Sequence, residues 1–144
     1  MKTVGKVIDL FISPQNKSGK TAKEILILDT KGIIDDKYYD TNVHRSVLIT
    51  SIESYQLAAS HHVNMPQGSL GENILVDYNP YHLSAGAQLC IGEVILEISQ
   101  NCTICDHLSI IDEKLPALLK DDRGIFAKVI KGGVIKKNDE IVLA

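Results

Sequence analysis

Apolar residues along this chain fall in short runs at close spacing, with Gly, Pro, Asn and Asp between the runs. That pattern predicts a β-rich domain. Residues 4–12 read as a first strand, 13–21 as a polar loop, 24–28 as a second strand and 47–50 as a third. Thr50 and Glu53 have the spacing of a capping box. Ile52, Tyr55 and Ala59 then share one face at helical spacing, which predicts a helix ending near His61 or His62. Pro66, Gly68 and Gly71 mark a tight loop into a strand at 73–76. Residues 88–91 and 94–99 read as two strands joined at Gly92-Glu93. Residues 106–120 are predicted to be helical in part, with Pro116 forcing a break or a new start. Strands at 125–130 and 141–143 follow, with turns at Gly132-Gly133 and Asn138-Asp139. Roughly seven to nine strands and two or three helices make a mainly β, α+β or barrel-like domain.

Composition narrows this picture. The 144 residues suit a single domain over 1–144, with no internal repeat or long linker. A chain of that length buries about 70% of its unfolded surface, so it needs no disulfide or structural metal to fold. A net charge of −3 argues against a broad nucleic-acid surface but permits a local basic pocket for a small anion. No run approaches the roughly 18 apolar residues of a membrane span. Lys6 and Asp9 break the first apolar run, which makes it a poor signal peptide. A cytoplasmic location is expected, with neither nucleic acid nor membrane as partner.

Several motifs carry possible chemistry. Ser18-Gly19-Lys20-Thr21 resembles the tail of a phosphate-binding loop, but Pro14 stands where that motif needs glycine and a strand follows where it needs a helix; a solvated loop is expected. The cysteines are Cys90, Cys102 and Cys105. Cys90 lies in the apolar run Leu89-Cys90-Ile91 and is expected in the core. Cys102-Thr103-Ile104-Cys105 is a single CxxC. Zinc would need four ligands, and only His107 is near in sequence. A redox dithiol would need a βαβ context that is missing. Cys105 itself follows a strand and precedes a predicted helix, a setting that stabilises a thiolate. Such a thiolate attacks sulfane sulfur and carries it as a persulfide; an inert, buried cysteine is the alternative. Arg45 and Arg123 each stand before a strand, either as solvated side chains or as a guanidinium fork for phosphate. In Gly68-Ser69-Leu70-Gly71-Glu72-Asn73-Ile74, two glycines permit close backbone approach to a ligand. Asn73 offers a donor and an acceptor suited to a pterin-like ring edge, or else caps an ordinary turn.

In order along the chain, these pieces resemble the MOSC domain, the family named after the C-terminal part of molybdenum-cofactor sulfurases. The resemblance runs from about Gly5 to Leu143. It rests on Gly5-Lys6-Val7 through Ser13-Pro14, on Gly32-Ile33-Ile34-Asp35-Asp36, and on Arg45 with Val47-Leu48-Ile49. Its most specific part is Pro66 and Gly68 followed by Leu70-Gly71-Glu72-Asn73-Ile74, similar to the Gly-Glu-Asn signature. Leu83 with Gly86, Ile91-Gly92, Leu96-Glu97-Ile98, Cys105 with Leu108, Arg123-Gly124-Ile125-Phe126-Ala127, Gly132-Gly133 and Asp139 complete it. The sequence departs from the family at Asp35, where glycine is expected, and at Tyr38, where histidine is common. Cys102 and Ile104 replace the usual Arg and Pro.

The resemblance implies a MOSC-type β-barrel with a few short helices, and a sulfur carrier or molybdenum-cofactor binder. The pyridoxal-phosphate domain of the larger sulfurases does not fit in 144 residues. A separate cysteine desulfurase would thus be the sulfur donor and would hold any pyridoxal phosphate. A molybdoenzyme or the molybdenum cofactor (molybdopterin) would be the acceptor. In this reading Cys105 is the thiolate and persulfide carrier, and His107 assists by proton transfer. Arg45 and Arg123 hold the cofactor's phosphate or an oxyanion at the metal, and Glu72 and Asn73 bind or orient the pterin edge. A second reading makes the chain a molybdenum-dependent reductase of N-hydroxylated compounds, with Cys105 as metal ligand. A third makes it a non-enzymatic β-barrel binding module whose CxxC is incidental or binds zinc.

Overall fold

The computed structural model describes residues 2–102 and 108–144. Along the chain, β1 (Lys2–Ile12), β2 (Thr21–Lys23), β3 (Ile25–Asp29) and β4 (Gly32–Ile33) come first. A 3-10 turn at Val43–Arg45 leads into β5 (Val47–Ser51), α1 (Ile52–Ser60) and β6 (Ile74–Val76). Then follow β7 (Gln88–Ile91), β8 (Val94–Asn101), α2 (Leu108–Ile111) and α3 (Leu115–Leu118). β9 (Ile125–Lys131), β10 (Gly133–Lys136) and β11 (Glu140–Leu143) end the described chain. Seven of these strands close on themselves in the order β1-β11-β7-β8-β9-β5-β6, with β2 added beside the C-terminal end of β1. All pairs in this ring are antiparallel except β5 and β6, which run parallel and are joined through α1. A second sheet, β10-β3-β4, packs beside the barrel.

Closure needs curvature, and register shifts supply it in β1 and in β8 against β9. Such shifts increase local twist and let a sheet bend. Alternation then divides the side chains into two sets. Leu10, Val47, Ile49, Ile74, Val76, Leu96 and Ile98 fill the barrel. Phe11 and Leu75, one residue out of phase, join Tyr55, Ala58, Leu70, Leu108, Leu115 and Leu119 in a second core beneath the helices. Leu48 and Phe126, directly opposite one another on β5 and β9, form a third, small cluster with Cys102.

The structure is mainly β with short helices, as the sequence predicts, and it corrects five details. The cap of α1 is Ser51, whose hydroxyl accepts from the Glu53 N–H at 3.1 Å. Thr50 is unavailable because its own hydroxyl donates to the Arg123 carbonyl at 2.9 Å. The buried face of α1 is Ser54, Tyr55 and Ala58, with Ala59 exposed. Cys90 is half-buried, because Leu89 and Ile91 take the inward positions of β7. Gly133, expected in a turn, instead opens β10, which pairs with β3 from Gly133↔Leu28 to Lys136↔Ile25. The described residues hold eleven strands, more than expected, since β2, β4 and β10 are only two to four residues long.

Gly132 seats the second sheet. A Cβ there would run into the Leu28 carbonyl oxygen and lie 2.8 Å from the Asp29 Cα, both backbone atoms that cannot swing aside. Gly132→Ala is therefore expected to destabilise the fold by about 1–3 kcal/mol, the usual cost of forced overpacking. Urea unfolding at unchanged m-value measures it.

Candidate functional site

Outside the barrel, where the Leu48 and Phe126 side chains emerge, lies a cavity of about 540 Å³. Four stretches build it: 13–20, 36–48, 68–73 and the strand ends around Cys102, Arg123 and Phe126. Among the described residues its charged lining is Lys20, Lys37, Arg45 and Arg123 against one carboxylate, Asp36. On a protein of net charge −3 this is a local concentration of positive charge, a field that draws small anions.

Each cation is fixed differently. Arg45 ends the 3-10 turn and is half-buried, with its guanidinium 4.6 Å from the Phe126 ring centroid. Its Nε is buried and has no hydrogen-bond partner among the described residues. Arg123 is buried, and its Nε and Nη2 both donate to the Leu70 carbonyl at 3.3 Å. Lys20 is half-buried beyond the exposed loop 15–19. Burial pulls its pKa below the usual lysine value, against the opposing pull of Asp36 and Glu72, while Lys37 lowers it further. Asp36 is buried and accepts from the N–H groups of Ser13 (2.7 Å) and Tyr38 (3.1 Å), so it ties two walls of the cavity together. Immediately before it, Asp35 has φ +75°, the left-handed region that favours glycine. The fold itself thus accounts for glycine being the expected residue at that position.

The sequence-predicted residues divide. Arg45, Asn73 and Arg123, far apart in the chain, line one cavity. Asn73 does so with both ends of its amide already engaged. Its Oδ1 accepts from the Leu48 N–H at 3.0 Å, and its Nδ2 donates to the Phe11 carbonyl at 3.3 Å. The side chain thereby bridges β5 and β1. Glu72 is fully buried and is not part of the cavity lining. Its carboxylate accepts from the Tyr55 hydroxyl (2.6 and 2.9 Å) and from the Gly68 N–H (3.0 Å). Cys105 and His107 lie outside the described residues. Cys102, in contrast, is described, buried and part of the cavity wall. Lys20 and Lys37 were not singled out by sequence reasoning. The loop 13–21 is solvated as expected over 15–19, but Lys20 at its end turns toward the cavity lining. The nearest signal was the Ser-Gly-Lys-Thr run, which failed the phosphate-loop test for reasons unrelated to this fold.

Residues 36–142 match the family model described as MOSC domain. The chain belongs to the MOSC domain family. The match begins at Asp36, so β1–β4 and Lys20 precede it. Solved structures with the MOSC-like fold of this chain include the YuaD protein of Bacillus subtilis, with a TM-score of 0.80 and 18% identity. That alignment covers 96% of this chain and 94% of the other. YiiM from Escherichia coli aligns with a TM-score of 0.74 and 17% identity, over 96% of this chain and 69% of that one. YiiM from Geobacillus stearothermophilus gives 0.71 and 15%, over 99% and 74%. At such identities the likeness speaks for the MOSC fold alone. No curated protein sequence matches the chain. Among the described residues, no helix is long and apolar enough to cross a membrane.

The burial of Glu72 has a consequence for stability. Desolvation raises its pKa above the ordinary carboxylate value of 4.5, despite hydrogen bonds from Tyr55 and Gly68 and the nearby charge of Lys20. The folded state therefore holds this proton more tightly than the unfolded chain. The resulting stabilisation is complete below the ordinary value and is lost as pH rises through the folded one. Glu72→Gln keeps the shape without the ionisation. The stability of the variant relative to wild type is expected to improve between about pH 5 and about pH 7.5. Urea unfolding of both chains at the two pH values measures that change.

Proposed function

We propose that this MOSC protein binds the molybdenum cofactor in the cationic cavity and carries sulfur on Cys105. The reading is supported by one observation above all. Lys20, Lys37, Arg45 and Arg123, from three separate stretches, converge on one cavity with Cys102 in its wall. Its volume of about 540 Å³ falls in the range of small-molecule sites, about 300–1,000 Å³.

The residues present fit an anionic group. Arg45 carries a buried Nε with no partner among the described residues, the kind of donor a bound oxyanion would satisfy at considerable gain. Arg45 and Arg123 would hold the cofactor's phosphate, with Lys20 and Lys37 adding charge from the other walls. When bound, the molybdenum cofactor would supply a redox-active metal. Asn73 would shape the wall between β1 and β5, since its amide is already committed to backbone groups.

Cys105 lies three residues beyond Cys102 in the sequence, and a stretch of that length spans at most about 11 Å. In the sulfur step, the Cys105 thiolate attacks the outer sulfur of a persulfide on a cysteine desulfurase. The donor's S–S bond breaks and its thiolate leaves, while a new S–S bond forms on Cys105, with no net oxidation. Pyridoxal phosphate belongs to that partner, and the molybdenum cofactor or a molybdoenzyme receives the sulfur.

Two measurements test the reading. Incubation with a cysteine desulfurase and cysteine should add one sulfur to the intact mass of the wild type and of Cys102→Ser, but not to Cys105→Ser. No gain on the wild type, or an equal gain on Cys105→Ser, removes the carrier role. Titration with inorganic phosphate should give binding that weakens about tenfold in Arg45→Ala and in Arg123→Ala, the loss expected for a charge-assisted hydrogen bond. Unchanged affinity in both variants removes the anion site.

A further inference from the structure

We propose that Tyr55 and Glu72 are positioning residues, which from outside the cavity fix the loop that aims Arg123 at a bound anion. The inference rests on the reading of Arg123 as an anion contact.

The chain of contacts starts on α1. The Tyr55 hydroxyl donates to the Glu72 carboxylate and accepts from the N–H groups of Gly68 (3.0 Å) and Leu70 (3.2 Å). One donor and two acceptor sites are thus all in use, the full capacity of a phenol. Glu72 accepts a second time from Gly68. Both hold one short loop, whose turns require the left-handed conformations of Gly68 (φ +94°) and Gly71 (φ +87°). Between those glycines lies Leu70, its side chain buried in the second core and its carbonyl facing the Arg123 guanidinium. Two donors of one planar group on one oxygen fix which edge of that group the loop holds.

Glu72 and Tyr55 are themselves absent from the cavity lining, whereas Gly68, Gly71 and Arg123 are part of it. A buried carboxylate is a costly way to hold a loop if stability alone were at stake, because an apolar pair would pack there without the desolvation penalty. What the carboxylate and phenol add is direction: they satisfy specific N–H groups and so select one loop conformation. Gly71 lies beside the guanidinium it helps to place, since a Cβ there would sit at ordinary contact distance, 3.7 Å from Arg123 Nη2 and 3.8 Å from Leu48.

A double-mutant cycle tests the idea, with inorganic phosphate as the probe and the full chain as the protein. Tyr55→Phe is expected to weaken phosphate binding about three- to tenfold, and to have no further effect once Arg123→Ala is present. Its effect on the melting temperature should persist in both backgrounds, which a merely structural role would leave uncoupled from binding. Glu72→Gln keeps an amide oxygen for Tyr55 and Gly68 and should retain affinity within about twofold, whereas Glu72→Leu should behave like Tyr55→Phe. Should Tyr55→Phe not fold, the same cycle with Glu72→Leu decides. Unchanged affinity in Tyr55→Phe, or an equal loss with and without Arg123, overturns the inference. Wild-type affinity in Arg123→Ala, or no phosphate binding by the wild type, removes instead the reading on which it rests.

Discussion

Lys2–Ile12 pairs with Glu140–Leu143 near its start and with Ile74–Val76 further along, and this double pairing is the constraint from which the rest of the molecule follows. It converts a row of strands into a ring. Once the ring is closed, inward positions must be apolar and outward positions are free for other use. On β5 the inward residues are Val47 and Ile49, and Leu48 between them faces out. On β9 Ile125, Ala127 and Val129 face inward, with Phe126 facing out. The floor of the cavity is thus the outer surface of the same strands whose other side forms the barrel core. Arg45 stacks on that floor, and Arg123 emerges at the entry to β9.

The cations themselves do not come from a single motif. They come from a loop after β1, a segment after β4, the turn before β5 and the approach to β9. Buried polar side chains connect those walls. Asp36 joins the Ser13 and Tyr38 backbones, Asn73 joins Leu48 and Phe11, and Thr50 reaches the Arg123 carbonyl. Such groups are costly when unpaired and specific when paired. They make the cavity a property of the whole fold rather than of any one stretch.

Much of this was legible in the sequence because period-two alternation and turn residues are local signals. The long strands β1, β8 and β9 announce themselves that way. So do the turn at Gly92, with φ +58°, and the turn at Asn138, with φ +72°. The convergence of Arg45, Asn73 and Arg123 was legible only through family resemblance, because no local rule brings positions so distant together. β2, β4 and β10 were not legible: runs of two to four residues become strands only when a partner offers its edge. Lys20 was missed for the same reason. Its loop is polar throughout, and only the pairing of β1 with β2 folds the end of that loop back onto the cavity. The one-residue error in the helix cap had a tertiary cause, since nothing near Thr50 in sequence reveals that its hydroxyl serves Arg123. Cys105 and His107 fall outside the described residues, and their assigned roles rest on sequence alone.

The pairing of the strand at Lys2–Ile12 with the strand at Glu140–Leu143 also has a kinetic side. Contacts between the two extremes of the described chain carry a large loop-closure entropy, and folds built on them form slowly. A nascent chain still lacking Glu140–Leu143 would expose β1 along an unpaired edge. It would lack the closed barrel, although β5 and β9, whose outer surface carries the Phe126 ring under Arg45, pair with each other without it. During synthesis the barrel would therefore close late, and until then the exposed edge of β1 would be open to the wrong partners.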